Sequence, residues 1–358
     1  MKRIVIILII IVLIIISLVI VGYFRSKKQV KGPGVIEVTQ KEIPTPVPPF
    51  EEKQVQPTTT PLVPTTPSET KIYRTLFENP LLYIDLDYPL LYVYDPQNQV
   101  IKYLNLEDET YKEIVKVVDF HEAVFSEDKT KIMISTGRGF NLVDLKTDSI
   151  YNLPPFVKNF VFTPEAWLYL NDGKRISYLA KWQNGKTTKI RDLGILNPEF
   201  ALLKNGILIY EKNSPLFFLE FKDPTVLKIF MDGQFFDVLT NKNKDLIFLV
   251  LQENNLWQSK IIDLNKKTHY SFSWATHKEK CSFDEVLVCA LPLDFDAEEW
   301  SMRGFGYDEK IIIYNPKNNE VREIKLQEKF DLVKPKLTPL GIITWDRLSE
   351  KFYLIKPD

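Results

Sequence analysis

The sequence predicts an all-β fold for residues 71–358, built as a closed ring of about seven small antiparallel sheets. Short runs rich in Ile, Val, Leu, Tyr and Phe alternate there with Asn, Asp, Gly and Pro, the pattern of strands joined by tight turns. Hardly any helical period is present over the same stretch. Similar strand–turn–strand units recur roughly every 40 to 50 residues, which is the length of one four-stranded sheet in such a ring.

Four copies of the recurring unit can be read directly. Each has a strand, a polar turn and a second strand, and they occupy residues 90–106, 139–154, 255–272 and 310–326. A lone four-stranded sheet cannot bury both of its faces, whereas radial stacking buries them and leaves only short edges. We therefore expect a β-propeller of about seven four-stranded blades. The last strand-like run, at 351–355, or the first, at 72–77, would close the ring.

The amino-terminal part has the pattern of a membrane span. A short cytoplasmic start at residues 1–3 precedes an apolar segment at 4–24, which exceeds the roughly 18 to 20 residues needed to cross a bilayer as a helix. A cleaved signal peptide is the alternative, but it would have a shorter apolar region and small residues at the cleavage site. Large residues such as Tyr23 and Phe24 stand there instead. We expect an uncleaved signal-anchor helix.

The charges beside this segment leave its orientation open. Two cationic residues precede it and four follow it, namely Lys2 and Arg3, then Arg25, Lys27, Lys28 and Lys31. Counted alone, they favour a cytoplasmic carboxyl-terminal side. A large domain behind a lone amino-terminal span can be translocated nevertheless, and the downstream chain has the character of an exported domain. We expect a single-pass protein of the cell membrane with an extracytoplasmic carboxyl-terminal domain.

Residues 25–70 form the predicted linker. From residue 32 onward proline and threonine dominate, and too few large apolar residues remain to offset the entropy of ordering. We expect a disordered, extended stalk with polyproline character, able to hold the next domain up to roughly 100 Å from the membrane. A passive spacer, a Pro-rich ligand for a partner and a Thr-rich glycosylated stalk are the open interpretations.

Composition excludes several function classes. The 46 Lys and Arg against 47 Asp and Glu give a net charge of −1, which argues against a nucleic-acid binder. An aromatic content of 13% indicates a well-filled β-type core. Two cysteines exclude a disulfide-built miniprotein and a multi-cysteine zinc module. The three histidines form no metal or triad pattern, and no catalytic motif is present. We expect no catalytic residues, metal or cofactor.

Cys281 and Cys289 flank a predicted hairpin centred on Glu285. A three-residue loop at 284–286 would place the two cysteines opposite each other on adjacent strands, close enough to bond. In the chain-entropy model such a bond stabilises by roughly 2.5 kcal/mol. Buried free thiols and a redox or metal role are the alternatives. A disulfide would favour an extracytoplasmic location.

An acidic and aromatic insertion at about 292–309, in the same blade, is the candidate binding site. Its candidate residues are Asp294, Asp296, Glu298, Glu299, Trp300, Phe305 and Tyr307. Alternating carboxylates can bind calcium, an acid pair can hydrolyse a sugar, and a plain solvated loop is the simplest alternative. Aromatic rim loops on rigid β scaffolds often bind partners, so partner recognition is the leading functional interpretation.

The repeated unit resembles the WD-type propellers related to the TolB β-propeller. "VFSEDKTKIMIST" at 124–136 stands where that family has a Ser-Pro-Asp-Gly-x hairpin. "EKCSFDEVLVCALP" at 279–292 resembles a paired-cysteine blade of membrane-anchored bacterial members. In this chain Asp284 and Glu285 replace the usual Pro-Asp-Gly turn, and Phe283 replaces a tryptophan. The family has no single activity, so the resemblance implies a fold rather than a function.

These observations predict a membrane-anchored extracytoplasmic module that binds an unidentified protein or glycan. The alternatives are a glycosidase-like envelope hydrolase with carboxylates at the propeller channel, and an envelope-assembly accessory similar to TolB. An enzyme would bring several Asp, Glu or Arg side chains together at one channel mouth with shifted pKa values. A binding module would present exposed aromatic side chains at its rim.

Overall fold

The computed structural model describes residues 51–52, 72–77, 79–163, 166–171, 177–183, 185–293 and 308–356. These residues form 28 β-strands and a single turn of 3₁₀ helix, Lys278–Lys280, so the expectation of an all-β domain is confirmed. Within these ranges no helix has the length and apolar character needed to cross a bilayer. The expected span at 4–24 and most of the linker at 25–70 lie outside them.

The first three blades each take four strands in chain order, and neighbouring strands are antiparallel. Blade 1 contains β3 (Leu82–Asp87), β4 (Leu90–Asp95), β5 (Val100–Asn105) and β6 (Tyr111–Lys116). Blade 2 contains β7 (Phe120–Phe125), β8 (Lys131–Thr136), β9 (Gly139–Asp144) and β10 (Ser149–Asn152). Blade 3 contains β11 (Val157–Phe162), β12 (Ala166–Asn171), β13 (Ser177–Gln183) and β14 (Lys186–Asp192).

Blades 4 and 5 share one long strand and so form a continuous sheet. Blade 4 contains β15 (Glu199–Leu202), β16 (Gly206–Tyr210), β17 (Ser214–Glu220) and the first half of β18 (Leu227–Thr240). Blade 5 contains the second half of β18, β19 (Leu246–Glu253), β20 (Leu256–Asp263) and β21 (Thr268–Phe272). The short strand β1 (Glu51–Glu52) lies parallel to β21 and extends this sheet at its outer edge.

The last two blades complete the ring. Blade 6 contains β22 (Cys281–Phe283), β23 (Leu287–Pro292), β24 (Glu309–Asn315) and β25 (Glu320–Lys325). Blade 7 contains β26 (Leu332–Thr338), β27 (Gly341–Asp346), β28 (Lys351–Ile355) and, as its outermost strand, β2 (Tyr73–Thr75). Both candidate closing runs of the sequence therefore meet in blade 7, where β2 pairs with β28.

Seven buried hydrophobic clusters join the blades, and each is shared by two consecutive blades. Ile84 of blade 1, for example, packs in one cluster with Ile132 of blade 2. The cluster that closes the ring contains Phe352 of blade 7 and Leu91 of blade 1. In the part of the chain that the structure describes, the seven four-stranded units thus form a closed ring with its core between the blades.

The first copy of the sequence repeat covers different strands of its blade from the other three copies. Residues 139–154, 255–272 and 310–326 cover the third and fourth strands of their blades, whereas 90–106 covers the second and third strands of blade 1. The cause is that different hairpins use the same turn chemistry. Asp95, between the second and third strands of blade 1, accepts hydrogen bonds from the backbone N–H groups two and three residues later, and Asp144 does the same between the third and fourth strands of blade 2.

The first strand of each blade lies nearest the axis. Neighbouring first strands contact each other, as β3 does with β7 and β11 with β15. We call the turn between the first and second strands of a blade its inner turn. Successive inner turns lie at the same end of the ring, and the connections between blades lie at the other end. The inner turns therefore surround one mouth of the central channel.

Candidate functional site

The central channel contains a cavity of about 460 Å³ between the innermost strands of blades 2 to 5. Much of its wall is apolar or aromatic, with contributions from Val124, Phe160, Phe162, Phe200, Leu202 and Leu239. Binding sites for small molecules typically occupy about 300 to 1,000 Å³ and have mostly apolar walls with a few polar groups. The channel has the size and lining of such a site.

A second cavity of about 430 Å³ opens at the mouth formed by the inner turns. The two cavities adjoin each other, since they share four lining residues, Glu127, Phe162, Leu202 and Lys244. The charged residues that line them are the lysines Lys131, Lys204, Lys242, Lys244 and Lys278, and the acids Glu122, Glu127 and Asp128. Five lysines stand against three acids along this lining, and the neighbouring acids Asp87, Asp245 and Glu199 pair with three of these lysines.

Ion pairs cross the inner-turn mouth from blade to blade. Lys242 of blade 5 lies 3.3 Å from Asp87 of blade 1, and Lys244 of blade 5 pairs with Glu127 of blade 2. Lys204 of blade 4 pairs with Asp245 at 3.3 Å. In each pair one side chain is more than 60% exposed, and exposed ion pairs contribute only about 0 to 1 kcal/mol. These pairs therefore position the lysines at the mouth while contributing little to stability.

Asp85, near the end of β3, has three lysines around its carboxyl group. Burial alone would raise the pKa of its carboxyl, but the neighbouring Lys129, Lys336 and Lys334 outweigh burial and hold that pKa below its usual value. Lys129 donates a hydrogen bond to the Asp85 carboxylate. Lys336 also donates to the carbonyl oxygen of Leu86, at 2.5 Å. Asp85 is thus a charged anchor for lysines rather than a proton donor.

At the opposite end of the channel cavity lies a second charged group. Lys278 donates hydrogen bonds to the carboxylate of Glu199 and to the hydroxyl of Tyr210, the latter at 3.2 Å. The Tyr210 hydroxyl donates to Glu199 at 3.1 Å and accepts from the Val238 backbone N–H. Burial, followed by the nearby carboxylates, raises the pKa of Tyr210 well above its ordinary value. These bonds fix Lys278 at the channel wall.

A buried ion cluster joins blades 6 and 7. The ammonium group of Lys280 donates to Glu309 at 2.6 Å and to Asp331, and all three side chains are about 95% buried. Glu309 also accepts a hydrogen bond from the Leu332 backbone N–H at 2.8 Å. Burial raises the pKa of Glu309 to about 7, although Lys280 acts in the opposite direction. Two carboxylates thus share one buried ammonium group.

The predicted binding residues of the insertion, at 294–307, lie outside the described residues. The structure does place the base of the insertion. Strands β23 and β24 pair up to Pro292 and Glu309, and the Leu293 N–H donates to the Asp308 carbonyl at 2.8 Å. The insertion therefore starts and ends at the connection end of blade 6, opposite the inner-turn mouth. Its candidate binding residues remain a prediction.

Cys281 and Cys289 form a disulfide bond, with an S–S distance of 2.07 Å. They face each other on β22 and β23 in the register 281/289, 282/288 and 283/287. Both cysteines are almost fully buried in the cluster between blades 5 and 6. The bond therefore links the innermost strand of blade 6 to the next strand.

No metal centre is present in the described ranges, where no group of three or more His, Cys, Asp or Glu side chains could hold an ion. His277 lies 3.5 Å from Asp237, and His121 lies 3.8 Å from Asp119. These contacts are single pairs, so they do not resemble a coordination sphere.

Sequence reasoning missed the lysines of the inner-turn mouth. A signal for them exists, since charged residues recur directly after the first strand of several blades, as in "SEDK" at 126–129 and "NKNK" at 241–244. Each of these turns reads as an ordinary solvated hairpin when taken alone. Only the ring closure brings blade 5 opposite blades 1 and 2 and places these charges around one opening.

Comparison with known proteins supports the fold. No protein-family model matches the chain, and no curated protein matches it. Among solved structures, an uncharacterized protein from Listeria monocytogenes is similar with a TM-score of 0.57 and 11% identity, covering 86% of this chain and 98% of its own. An oligogalacturonate lyase from Vibrio parahaemolyticus is similar with a TM-score of 0.56 and 11% identity, covering 78% and 92%.

The Cps50 (Swd1) β-propeller domain from Myceliophteria thermophila is also similar, with a TM-score of 0.52 and 8% identity over 79% of this chain and 99% of its own. The expected resemblance to WD-type propellers is therefore confirmed at the level of fold. Identities this low carry no information on activity, because the same propeller supports unrelated functions.

Proposed function

We propose that this protein is a membrane-anchored, extracytoplasmic binding module whose propeller takes up an anionic ligand at the inner-turn mouth. The observation that carries the proposal is the pair of adjoining cavities with five lysines at their lining, several of them held in exposed ion pairs that an anionic ligand would exchange. The ligand is an acidic segment of a protein or an acidic glycan. The apolar and aromatic channel wall behind the lysines supplies the contact area that charge alone does not give.

The state of the carboxylates supports binding over hydrolysis. A glycosidase needs one carboxyl group with a raised pKa beside a second carboxylate. At the inner-turn mouth the pKa of Asp85 is lowered by lysines, and Asp87 and Glu127 each contact a lysine. Glu309 has a raised pKa, but it is buried and bonded to Lys280. Neither arrangement offers a free acid to a sugar.

The test measures binding of the full-length chain in detergent micelles to two anionic probes, poly-L-glutamate and alginate, with neutral dextran as the uncharged reference. We expect saturable binding of one anionic probe and a tenfold or larger loss of affinity in the triple variant Lys204→Gln, Lys242→Gln and Lys244→Gln. The affinity should fall steeply as salt is added, because exposed charges are screened.

A matched control makes the same change in charge at the turns between the third and fourth strands of blades 4, 5 and 6, which lie at the same end of the ring. Its substitutions are Lys222→Gln, Lys266→Gln and Lys317→Gln. This control should keep its affinity within about twofold. Equal losses in the two triple variants would reject the inner-turn mouth as the binding site. Shortening of the alginate chains during the assay would contradict the proposal and favour the enzyme alternative.

The membrane part of the proposal rests on the apolar segment at 4–24 and the linker at 25–70. Protease added to intact cells should cut the linker and release the propeller. If the chain stays intact when protease is added to intact cells, but is cut after the membrane is opened, the propeller lies on the cytoplasmic side.

A further inference from the structure

The outer edge of blade 5 carries an additional strand. β1, Glu51–Glu52, pairs in parallel with β21, in the register Glu51 with Thr268 and Glu52 with His269. β21 is the outermost of the four antiparallel strands of its blade, so its outer backbone groups face away from the sheet. An edge of this kind is a template for a further strand. Here the additional strand comes from the linker of the same chain.

The sequence around β1 suits this pairing. The residues from Phe50 to Gln56 contain no proline, whereas Pro48 and Pro49 precede them and Pro57 follows. Proline cannot donate to a β-ladder, so this interval of the linker retains all of its backbone donors. Pairing to an edge by main-chain hydrogen bonds is the usual way in which an extended segment adds to a sheet.

Charge distinguishes the edge of blade 5 from that of blade 6. The turn before β21 ends in Lys266 and Lys267, and β21 begins with Thr268 and His269. The corresponding turn of blade 6 has Asn318 and Asn319, and β25 begins with the acidic Glu320. The two strands are equivalent in register, since Thr268 pairs with Asp263 as Glu320 pairs with Asn315. In blade 6 Glu320 pairs with Arg322 at 2.7 Å, so at this position blade 5, with Lys266 and Lys267, is the more basic edge for an acidic segment.

The length of the intervening chain allows the arrangement. After β1 the chain reaches β2 on the outer edge of blade 7, two blades further on, through the 19 residues from 53 to 71. In polyproline conformation these residues can span about 60 Å. Packed sheets lie about 10 Å apart at their faces and diverge outward, so this reach is ample for two blades.

From these observations we propose that the outer edge of blade 5 is a docking site for the chain's own linker, occupied by Glu51–Glu52 through β-strand addition. Combined with the membrane anchor, on which this consequence rests, docking sets where the tether leaves the propeller. The tether then departs from blade 5 and loses the 20 residues from 51 to 70, about 60 Å of reach.

Cysteine cross-linking in the full-length chain tests the docking directly. Glu51→Cys with Thr268→Cys should form a disulfide under mild oxidation, read by mass spectrometry of unreduced peptides. The matched control, Glu51→Cys with Glu320→Cys, places the second cysteine at the equivalent position of blade 6. We expect at least a tenfold excess for the blade 5 pair. Equal yields, or no bond to residue 268, would overturn the proposal whatever the ligand of the channel.

Hydrogen exchange provides a second test without added cysteines. Glu52→Pro removes a backbone donor from β1 and should speed amide exchange at residues 268–270 at least tenfold, while Glu52→Ala should leave it unchanged. Exchange in β25 of blade 6 serves as the internal reference and should not respond. Unaltered exchange at β21 in the proline variant would contradict docking, and a folded propeller would be evident from the unchanged reference strand.

Discussion

Lysine ion pairs of two kinds occur in this propeller, and burial separates them. Lys242 reaches across the channel mouth in a largely exposed pair with Asp87, whereas Lys280 is buried between Glu309 and Asp331. Exposed pairs contribute little because water and salt screen them. Removing one partner of a buried pair leaves an uncompensated charge in a poorly solvated environment, which is strongly destabilising.

Replacing the two kinds of lysine should therefore have very different effects on stability. Lys280→Met should lower the free energy of unfolding by about 3 to 5 kcal/mol, because buried Glu309 and Asp331 lose their shared ammonium partner and only Asp331 keeps a second cation, Arg347 at 3.7 Å. Lys242→Met should lower it by less than about 1 kcal/mol. Urea denaturation of both variants beside the unmodified protein measures the difference. Similar losses in the two variants would contradict the assignment of Lys280 as a buried structural cation.

Glu309 should also make stability depend on pH. Its pKa is about 7 in the folded protein against an ordinary value of 4.5, so the folded state retains a proton that the unfolded state has lost. Its stabilising contribution is complete below pH 4.5 and is lost as the pH rises through 7. From pH 5 to 7 the protein should lose on the order of 1 kcal/mol per pH unit relative to Glu309→Gln.

Melting temperatures at several pH values measure this effect as the difference between the unmodified protein and Glu309→Gln. The matched control is Glu323→Gln, an exposed carboxyl on β25 that pairs with Lys310 at 3.0 Å. The control removes an exposed carboxyl in place of a buried one, so its difference at each pH is the background for the Glu309→Gln comparison. A flat difference for Glu309→Gln would show that Glu309 is already ionised throughout this range.

At the scale of elements, the hairpin turns explain what the sequence could and could not predict. Asx turns of one type, built on residues such as Asp95, Asp144 and Asp263, follow a strand and precede the next. They make strands and turns visible in the sequence, and their spacing indicates blades of the right length. They do not reveal which strand of a blade they follow, so the copy of the repeat at 90–106 covers a different pair of strands from the other three copies. The cross-channel lysines depend on contacts over more than 100 residues, which no local pattern contains.

The Cys281–Cys289 hairpin is the element whose stabilisation can be measured most simply. Replacing both cysteines by alanine should reduce the free energy of unfolding by roughly 2.5 kcal/mol, because a short covalent loop no longer restricts the unfolded chain. The comparison is made under oxidising conditions, with the reduced unmodified protein as the second reference. The double-alanine variant and the reduced unmodified protein should have similar stability. A variant as stable as the oxidised protein would show that the bond contributes nothing.

The whole molecule depends on closure between its first and last blades. β2 is contributed by the amino-terminal side of the domain and pairs with β28 from the carboxyl-terminal side, while the cluster around Phe352 joins blade 7 to blade 1. Each blade buries its two faces against its neighbours, so an open ring would expose two of them. Weakening the pairing that closes the ring should therefore lower the stability of all seven blades.

Arg74→Pro tests this closure because it removes a backbone donor from the middle of β2, opposite Leu354. We expect a loss of about 3 kcal/mol and faster trypsin cleavage throughout the propeller. Arg74→Ala, which keeps the backbone donor, should behave like the unmodified protein. Cleavage confined to the segment before residue 80 would show that blade 7 holds without its outermost strand.

Strand β18 gives one junction of the ring a distinct mechanical character. Blades 4 and 5 have a common backbone there, whereas blades 1 and 2 are joined through the non-strand residues 117–119. A hinge needs a few residues free to change their dihedral angles, and a hydrogen-bonded strand withholds that freedom. The exception within β18 is its irregular middle, where Gly233 has a φ of +145° and the register shifts between Phe235 and Asp237. Widening of the aperture for a bulky guest would bend the backbone of β18 there, whereas at the junction of blades 1 and 2 it would move a loop.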